Sequence, residues 1–162
     1  MDDPFAPPAG RAWTRVSPRL ARMRRTLLVV GAGLPLVAVT VVAALASPVV
    51  GAVCGAVAVV ALAWGWLSVG RNYRSWGYLE RTDDLLVTHG ALFRSLTVVP
   101  YGRMQLVDVT AGPVERSFGL VTVRLHTAAA TTDAKVCGLT PVDAGALRER
   151  LTALGEAHAA GL

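Results

Sequence analysis

A nucleophile, a base and an orienting carboxylate in this sequence would have to be drawn from Ser117, Cys137, His126, Asp108 and Asp133. No recognised spacing relates them. The chain has no GxSxG elbow, no phosphate-binding GxxxxGK(S/T), no HExxH and no GxGxxG loop after a strand. His126 falls in an alternating run and reads as an exposed strand residue rather than a general base. A membrane-bound hydrolase is therefore the weakest functional reading, and the protein is expected not to be an enzyme. Cys54, Cys137, His89, His126 and His158 lack the spacing of a zinc site. Cys54 lies in an apolar run and Cys137 in the polar part of the chain, so no disulfide is implied, and neither metal nor cofactor is expected.

Four other residues suit recognition. Arg103, Gln105, Arg116 and Phe118 combine charge, amide bonding and an aromatic anchor, the ingredients of a protein-interaction face. The competing reading is structural: Arg103 and Gln105 satisfy backbone groups at a strand turn, and Phe118 packs beneath Gly119.

The elements that position these residues follow from an uneven sequence. No Asp, Glu, Lys or Arg occurs from Leu27 to Val69, although the chain carries 16 basic and 11 acidic residues. A helix needs about 20 residues to cross a hydrocarbon core of about 30 Å. Leu27 to Ala46 and Val49 to Val69 each reach that length, and Ser47-Pro48 suits a tight reversal because proline cannot continue the first helix's hydrogen bonding. A transmembrane hairpin is expected, and a single bent helix would be too long for one span. The arginine-rich start and Ala44-Leu45-Ala46 resemble a cleaved signal, but the run exceeds the roughly 7 to 15 residues of a signal core and a second span follows at once.

Inside the hairpin, Gly51 and Gly55 form a GxxxG spacing. It suits either oligomerisation or packing within the hairpin, the latter favoured by the Ala, Gly and Val around it. Pro35 is placed to bend the first helix, and no intramembrane charge marks a transport path.

Arg11, Arg15, Arg19, Arg22, Arg24 and Arg25 precede the first span, Arg71, Arg74 and Arg81 follow the second, and the turn has none, so both termini are expected on the cytoplasmic side. Trp64, Trp66, Tyr73, Trp76 and Tyr78 cluster near the exit of the second span, as an interfacial aromatic belt does. The sequence pI of 10.0 comes mainly from residues 1–26, which carry a net +4, whereas the part after the spans carries +1. That charge sits beside the membrane, and each arginine there gains about 1 kcal/mol near anionic headgroups. Arg19, Arg22, Arg24, Arg25, Arg71 and Arg74 are accordingly candidates for anionic-lipid contact, and no nucleic-acid partner is expected. Pro4, Pro7, Pro8 and Gly10 read as a flexible tail.

Beyond Arg74, short alternating segments separated by turn residues predict strands over 76–80, 85–89, 92–99, 104–110, 121–126 and 135–139. Thr140-Pro141-Val142-Asp143 predicts a helix start with Thr140 as cap and Pro141 at N1, followed by a stripe of Leu147, Leu151 and Leu154. The chain thus divides into a basic segment 1–26, a hairpin 27–69 and a soluble β-rich domain 70–162.

Trp76-Gly77-Tyr78, the strand ending at Gly90, Val99-Pro100-Tyr101-Gly102-Arg103-Met104-Gln105, Arg116-Ser117-Phe118-Gly119-Leu120 and the final helix occur in an order that resembles bacterial pleckstrin-homology-like membrane proteins of the YdbS type. The resemblance spans roughly residues 70 to 155. It implies an α+β protein: a two-helix hairpin, then an antiparallel β sandwich or partly open barrel with a C-terminal capping helix. A multi-pass protein of a bacterial cell membrane is implied, working as an adaptor or assembly module that contacts membrane lipids and a protein partner or a second copy of itself. A noncatalytic accessory subunit of a transporter or membrane enzyme is the nearest alternative. The resemblance does not carry a phosphoinositide pocket with it. Glu80-Arg81-Thr82-Asp83-Asp84, at the first loop, sets three acids against one base, so no specific phosphoinositide is expected.

In a Cys54→Ser, Cys137→Ser background, a cysteine at position 47 is expected to be labelled from the side of the membrane opposite both termini. Labelling from the cytoplasmic side alone would refute this topology.

Overall fold

The computed structural model describes residues 12–91, 93–127 and 133–159. Arg11, the early prolines, Gly10 and Leu92 lie outside the described residues. The chain forms two compact units, residues 21–71 and a second unit made from the segment up to Leu20 together with residues 72–162.

In the helical unit, α1 (Arg19–Leu28), a π-helical stretch (Val29–Gly33) and α2 (Leu34–Ala46) run on as one helix, and α3 (Pro48–Arg74) follows. Both are long and apolar enough to cross a membrane, and only 6% and 11% of their apolar windows are buried, unlike core helices of a water-soluble fold. The wide π turn lies just ahead of Pro35, whose missing N–H cannot close a regular α-helical bond. Ser47 is extended (φ −159°, ψ 127°). Its N–H donates to the Ala43 carbonyl at 2.9 Å, and its own carbonyl accepts from Gly51 at 2.9 Å, so one residue ends one helix and starts the next. Pro48 takes the first helical position, one residue earlier than the span expected from Val49.

Glycines on α3 set how the helices pack. A Cβ added to Gly51 would lie 2.5 Å from the Ala44 Cα, one on Gly55 would meet Thr40, and one on Gly65 would lie 2.5 Å from Leu28. Those pairs run antiparallel, and they spend the GxxxG spacing on packing within the hairpin.

The β unit holds two antiparallel sheets that do not close into a barrel. The first has the order β1 (Thr14–Arg15), β2 (Gly77–Glu80), β3 (Asp84–His89), β4 (Ser95–Pro100), and the second β5 (Met104–Thr110), β6 (Val121–Thr127), β7 (Ala134–Leu139). A short helix, α4 (Pro113–Ser117), joins β5 to β6, and α5 (Pro141–Ala159) ends the unit. Leu85, Val99, Val123 and Leu125 from the sheets and Ala144, Leu147 and Leu151 from α5 are fully buried, while Leu154 is half-buried. Thr140 Oγ1 accepts from the Asp143 N–H at 3.2 Å and donates to its carboxylate at 2.7 Å, the expected cap. A two-point ion pair that no spacing rule foretold ties α5 to β2: Arg150 Nε and Nη2 reach the Glu80 carboxylate at 3.0 and 2.9 Å.

Two features have no signal in periodicity. Residues 14–20, within the basic segment, pack with the β unit: Thr14 and Arg15 pair with Tyr78 and Gly77, the Ser17 N–H donates to Gly138 at 2.8 Å, and Val16 and Leu20 are buried. The first sheet thereby gains a strand, and Leu20 covers Gly138, whose φ of +78° and 2.7 Å approach exclude a side chain. The aromatic belt shrinks to Trp64 and Trp66, which are exposed. Trp76 and Tyr78 are buried in the β unit instead, and the Tyr73 hydroxyl donates to the Val16 carbonyl at 3.1 Å. Once α3 stops at Arg74 the chain enters β2, and rings at 76 and 78 become core.

Gly51→Ala is expected to destabilise the hairpin by about 1–3 kcal/mol through overpacking. Gly31→Ala, which meets nothing within 4 Å, should be neutral or stabilising by up to about 1 kcal/mol. Thermal unfolding of both variants in detergent micelles, followed by helical circular dichroism, checks the opposite signs.

Candidate interaction site

Strand β5 is an edge strand: β6 lies on one side of it, and among the described residues no other strand of its sheet lies on the other. An edge of this kind presents unpaired N–H and C=O groups, and side chains along it decide whether another chain can dock. Leu106 and Val109 are exposed at 54% and 39%, Leu106 on the face shared with Asp108 and His126 and Val109 on the opposite face, and Val114 in α4 is exposed at 40%, so apolar side chains flank the edge on both faces. The register with β6 shifts between Met104 and Leu106, a bulge that places Gln105 outside the regular pairing.

The four recognition residues lie at the two ends of this edge. Tyr101, fully buried, donates its N–H to the Asp83 carbonyl at 3.0 Å and its hydroxyl to the Arg81 carbonyl at 3.0 Å. That anchor holds the 3-10 turn Tyr101–Arg103, from which Arg103 and Gln105 are exposed at the start of β5. Arg116 and Phe118 sit beyond its far end, Arg116 exposed and Phe118 half-buried. Six residue steps of about 3.3 Å separate the ends by about 20 Å, so the four do not converge on one spot. They bracket the open edge instead.

Glu115 sets the far end, and sequence reading passed over it. Its carboxylate accepts the Gly112 N–H at 2.9 Å and the Thr122 hydroxyl at 2.9 Å, joining the N-terminus of α4 to the first turn of β6. The signal was present as Gly112-Pro113-Val114-Glu115, a helix start with proline at N1 and an acid at N3. Gly119, with φ +62°, then ends the turn, and the Leu120 N–H returns to the Glu115 carbonyl at 2.8 Å.

The residues considered for hydrolysis separate. His126 Nδ1 lies 2.9 Å from Asp133 Oδ2, and its Nε2 lies 3.8 Å from Asp108. Asp133 also accepts the Thr127 N–H at 3.0 Å. That backbone bond, with His126 beside it, holds the Asp133 carboxyl below its ordinary range. Ser117 donates its hydroxyl to the Val114 carbonyl at 2.8 Å within α4. Cys137 pairs with Thr122, four residues along β6 from His126, or about 13 Å. The Cys137 thiol is therefore far from the imidazole, and the Ser117 hydroxyl is engaged within α4. Among the described residues no group of three His, Cys, Asp or Glu side chains is placed to hold a metal ion.

The lipid-contact candidates are divided between the units. Arg22, Arg24, Arg25 and Arg71 lie in the helical unit, Arg19 and Arg74 in the β unit; Arg19, Arg22, Arg71 and Arg74 are exposed.

A family model described as Bacterial PH domain matches residues 26–154, which takes in most of the first long helix, all of α3 and the β unit from β2 into α5. No curated protein and no solved structure matches the chain.

Glu115→Ala is expected to lower stability by about 1–2 kcal/mol, since it deletes two bonds to a charged acceptor. Glu115→Gln, which keeps an acceptor oxygen, should lose less. Thermal unfolding of the full chain, with exchange of the Gly112 and Leu120 amides, checks the ranking.

Proposed function

The chain belongs to the bacterial PH domain family, and on that premise we propose that it is a membrane-anchored adaptor or assembly module that binds a protein partner through the β5 edge. The observation that carries this reading is the open strand itself, with Leu106, Val109 and Val114 exposed along it and the cations Arg103 and Arg116 at its two ends. Main-chain bonds from an added strand would supply affinity there, and side chains at the two ends would supply selectivity. A second copy of the chain is the alternative occupant. The order of motifs along the β unit favours the YdbS-type branch of the family.

In this reading the two apolar helices span a bacterial cell membrane as a multi-pass hairpin with both termini cytoplasmic, and the flanking arginines contact anionic lipid. The arginine asymmetry and the exposure of the apolar helices support it. A noncatalytic role is supported by the strand length between His126 and Cys137, by the engagement of the Ser117 hydroxyl within α4, and by the family, whose PH-like domains are generally non-catalytic. At the β2–β3 turn Glu80 is held by Arg150, Arg81 lies 3.4 Å from Asp84, and Asp83 lies 3.5 Å from His158. The basic side chains at this turn are engaged by its own acids, which favours protein over polyphosphorylated headgroups as its partner.

Leu106→Lys places charge on the solvent-facing side of the edge and Val109→Lys on the side it shares with the buried Val123, and both should abolish retention of the native partner in mild detergent. Arg116→Ala should weaken it by about tenfold, the effect of an interface arginine worth roughly 1.4 kcal/mol. Copurification from native membranes with mass spectrometry reads the partner, and circular dichroism verifies folding. Folded lysine variants that keep every partner and the wild-type oligomeric mass would refute the β5 interface.

A further inference from the structure

Arg25 in α1 is placed in a way that diffuse surface charge does not require. Its guanidinium carbon lies 4.5 Å from the centre of the Trp66 ring, and a Cβ added to Gly70 would stand 3.2 Å from its Nη2. Trp66 and Gly70 are four residues apart on α3, hence neighbours on one helix face. The indole covers one side of the cation, and the missing side chain at Gly70 leaves the space it occupies. Its Nε is buried and has no hydrogen-bond partner. A ring stacked on a guanidinium uses its flat face and leaves the in-plane N–H donors free for a planar, two-oxygen acceptor.

The depth of the group narrows the ligand. Leu28, less than one helical turn further along, already packs at Gly65 inside the apolar contact, and no charged residue follows until Arg71. Arg25 is thus the last cation before the uncharged stretch, where headgroup phosphates lie in a spanning hairpin. Arg22, three residues earlier, and Arg71, next to Gly70, are both exposed and add positive potential at the same end. No acidic residue occurs from Ala21 to Arg71, the whole of the helical unit, so no internal carboxylate competes for the cation.

We propose that Arg25, held between Trp66 and Gly70, is a defined binding site for the phosphodiester of an anionic glycerophospholipid. The acceptor oxygens bond the terminal Nη groups of the guanidinium, while the acyl chains lie along the apolar helices. This rests on the reading that the hairpin spans the membrane, and it adds a positioned site to what would otherwise be general electrostatic attraction.

The test uses the full chain. Wild type is first reconstituted in vesicles and extracted with alkaline carbonate; release into the supernatant would overturn the spanning reading itself. Protein retained in the membrane is then purified in neutral detergent and titrated with phosphatidylglycerol, with bound lipid counted by native mass spectrometry. Arg25→Gln is expected to reduce binding by about tenfold, Arg25→Lys nearly as much because ammonium has no planar fork, and Arg22→Gln by less than about twofold. Gly70→Ala, which crowds the guanidinium and leaves every charge in place, should also weaken binding. At an ionic strength of about 1 M, where the Debye length is about 3 Å, wild type should keep one lipid. Equal losses for Arg22→Gln and Arg25→Gln, or loss of all lipid from wild type in high salt, would overturn the site in favour of diffuse charge. Inorganic phosphate binding as tightly as the lipid would overturn the headgroup assignment.

Discussion

Backbone polar groups must find partners, and from Leu27 to Val69 the side chains offer almost none. The only hydroxyls in that stretch are Thr40, Ser47 and Ser68, and Thr40 returns its own to the Leu36 carbonyl at 2.7 Å. Helix is the conformation that satisfies such a segment from within. Its one reversal is correspondingly economical, with Ser47 serving both helices and Pro48 supplying no donor that would need a partner. Close packing at Gly51, Gly55 and Gly65 then replaces the hydrophobic driving force that hydrocarbon surroundings would remove.

The β unit solves the same accounting problem differently. Its first sheet would end at β2, a four-residue strand, without the two-residue β1 from ahead of the helices. Ser17 then bonds to Gly138 in the second sheet, so one short segment touches both sheets of the unit. Chain that enters and leaves the helical unit is therefore bound into the β unit at both ends, by β1 before it and by Tyr73 and Trp76 after it. Movement at either junction would cost contacts in the β core as well as local hydrogen bonds.

Periodicity and punctuation made most of this legible. Helical spans were readable from length and charge, the strands from alternation between turn residues, and α5 from Thr140-Pro141 with its leucine stripe. What escaped had another physical origin. A two-residue strand has no period to detect, and β1 exists because β2 offers an edge for it. Trp76 and Tyr78 look interfacial by type, and only the end of α3 at Arg74 assigns them to the core. Phe93, next to the strand start expected at 92, is 90% exposed, and β4 begins at Ser95 after Gly90 turns the chain with φ +96°. Glu115 acts through Thr122, a partner seven residues away that no local rule connects to it.

The same distinction separates recognition from chemistry in the β unit. Asp108, His126 and Asp133 meet on a solvent-facing part of the second sheet, each at least 40% exposed in its side chain, where water competes for every bond. Catalysis would need a nucleophile beside them in a water-poor cleft, yet Ser117 is spent on Val114 and Cys137 lies at the other end of β6. Recognition by strand addition needs neither. It needs an edge whose backbone is unpaired, whose apolar side chains are exposed and whose ends are held in place, and Tyr101 and Glu115 hold the two ends of β5. The buried tyrosine and the bridging glutamate are thus positioning residues for a surface neither of them forms.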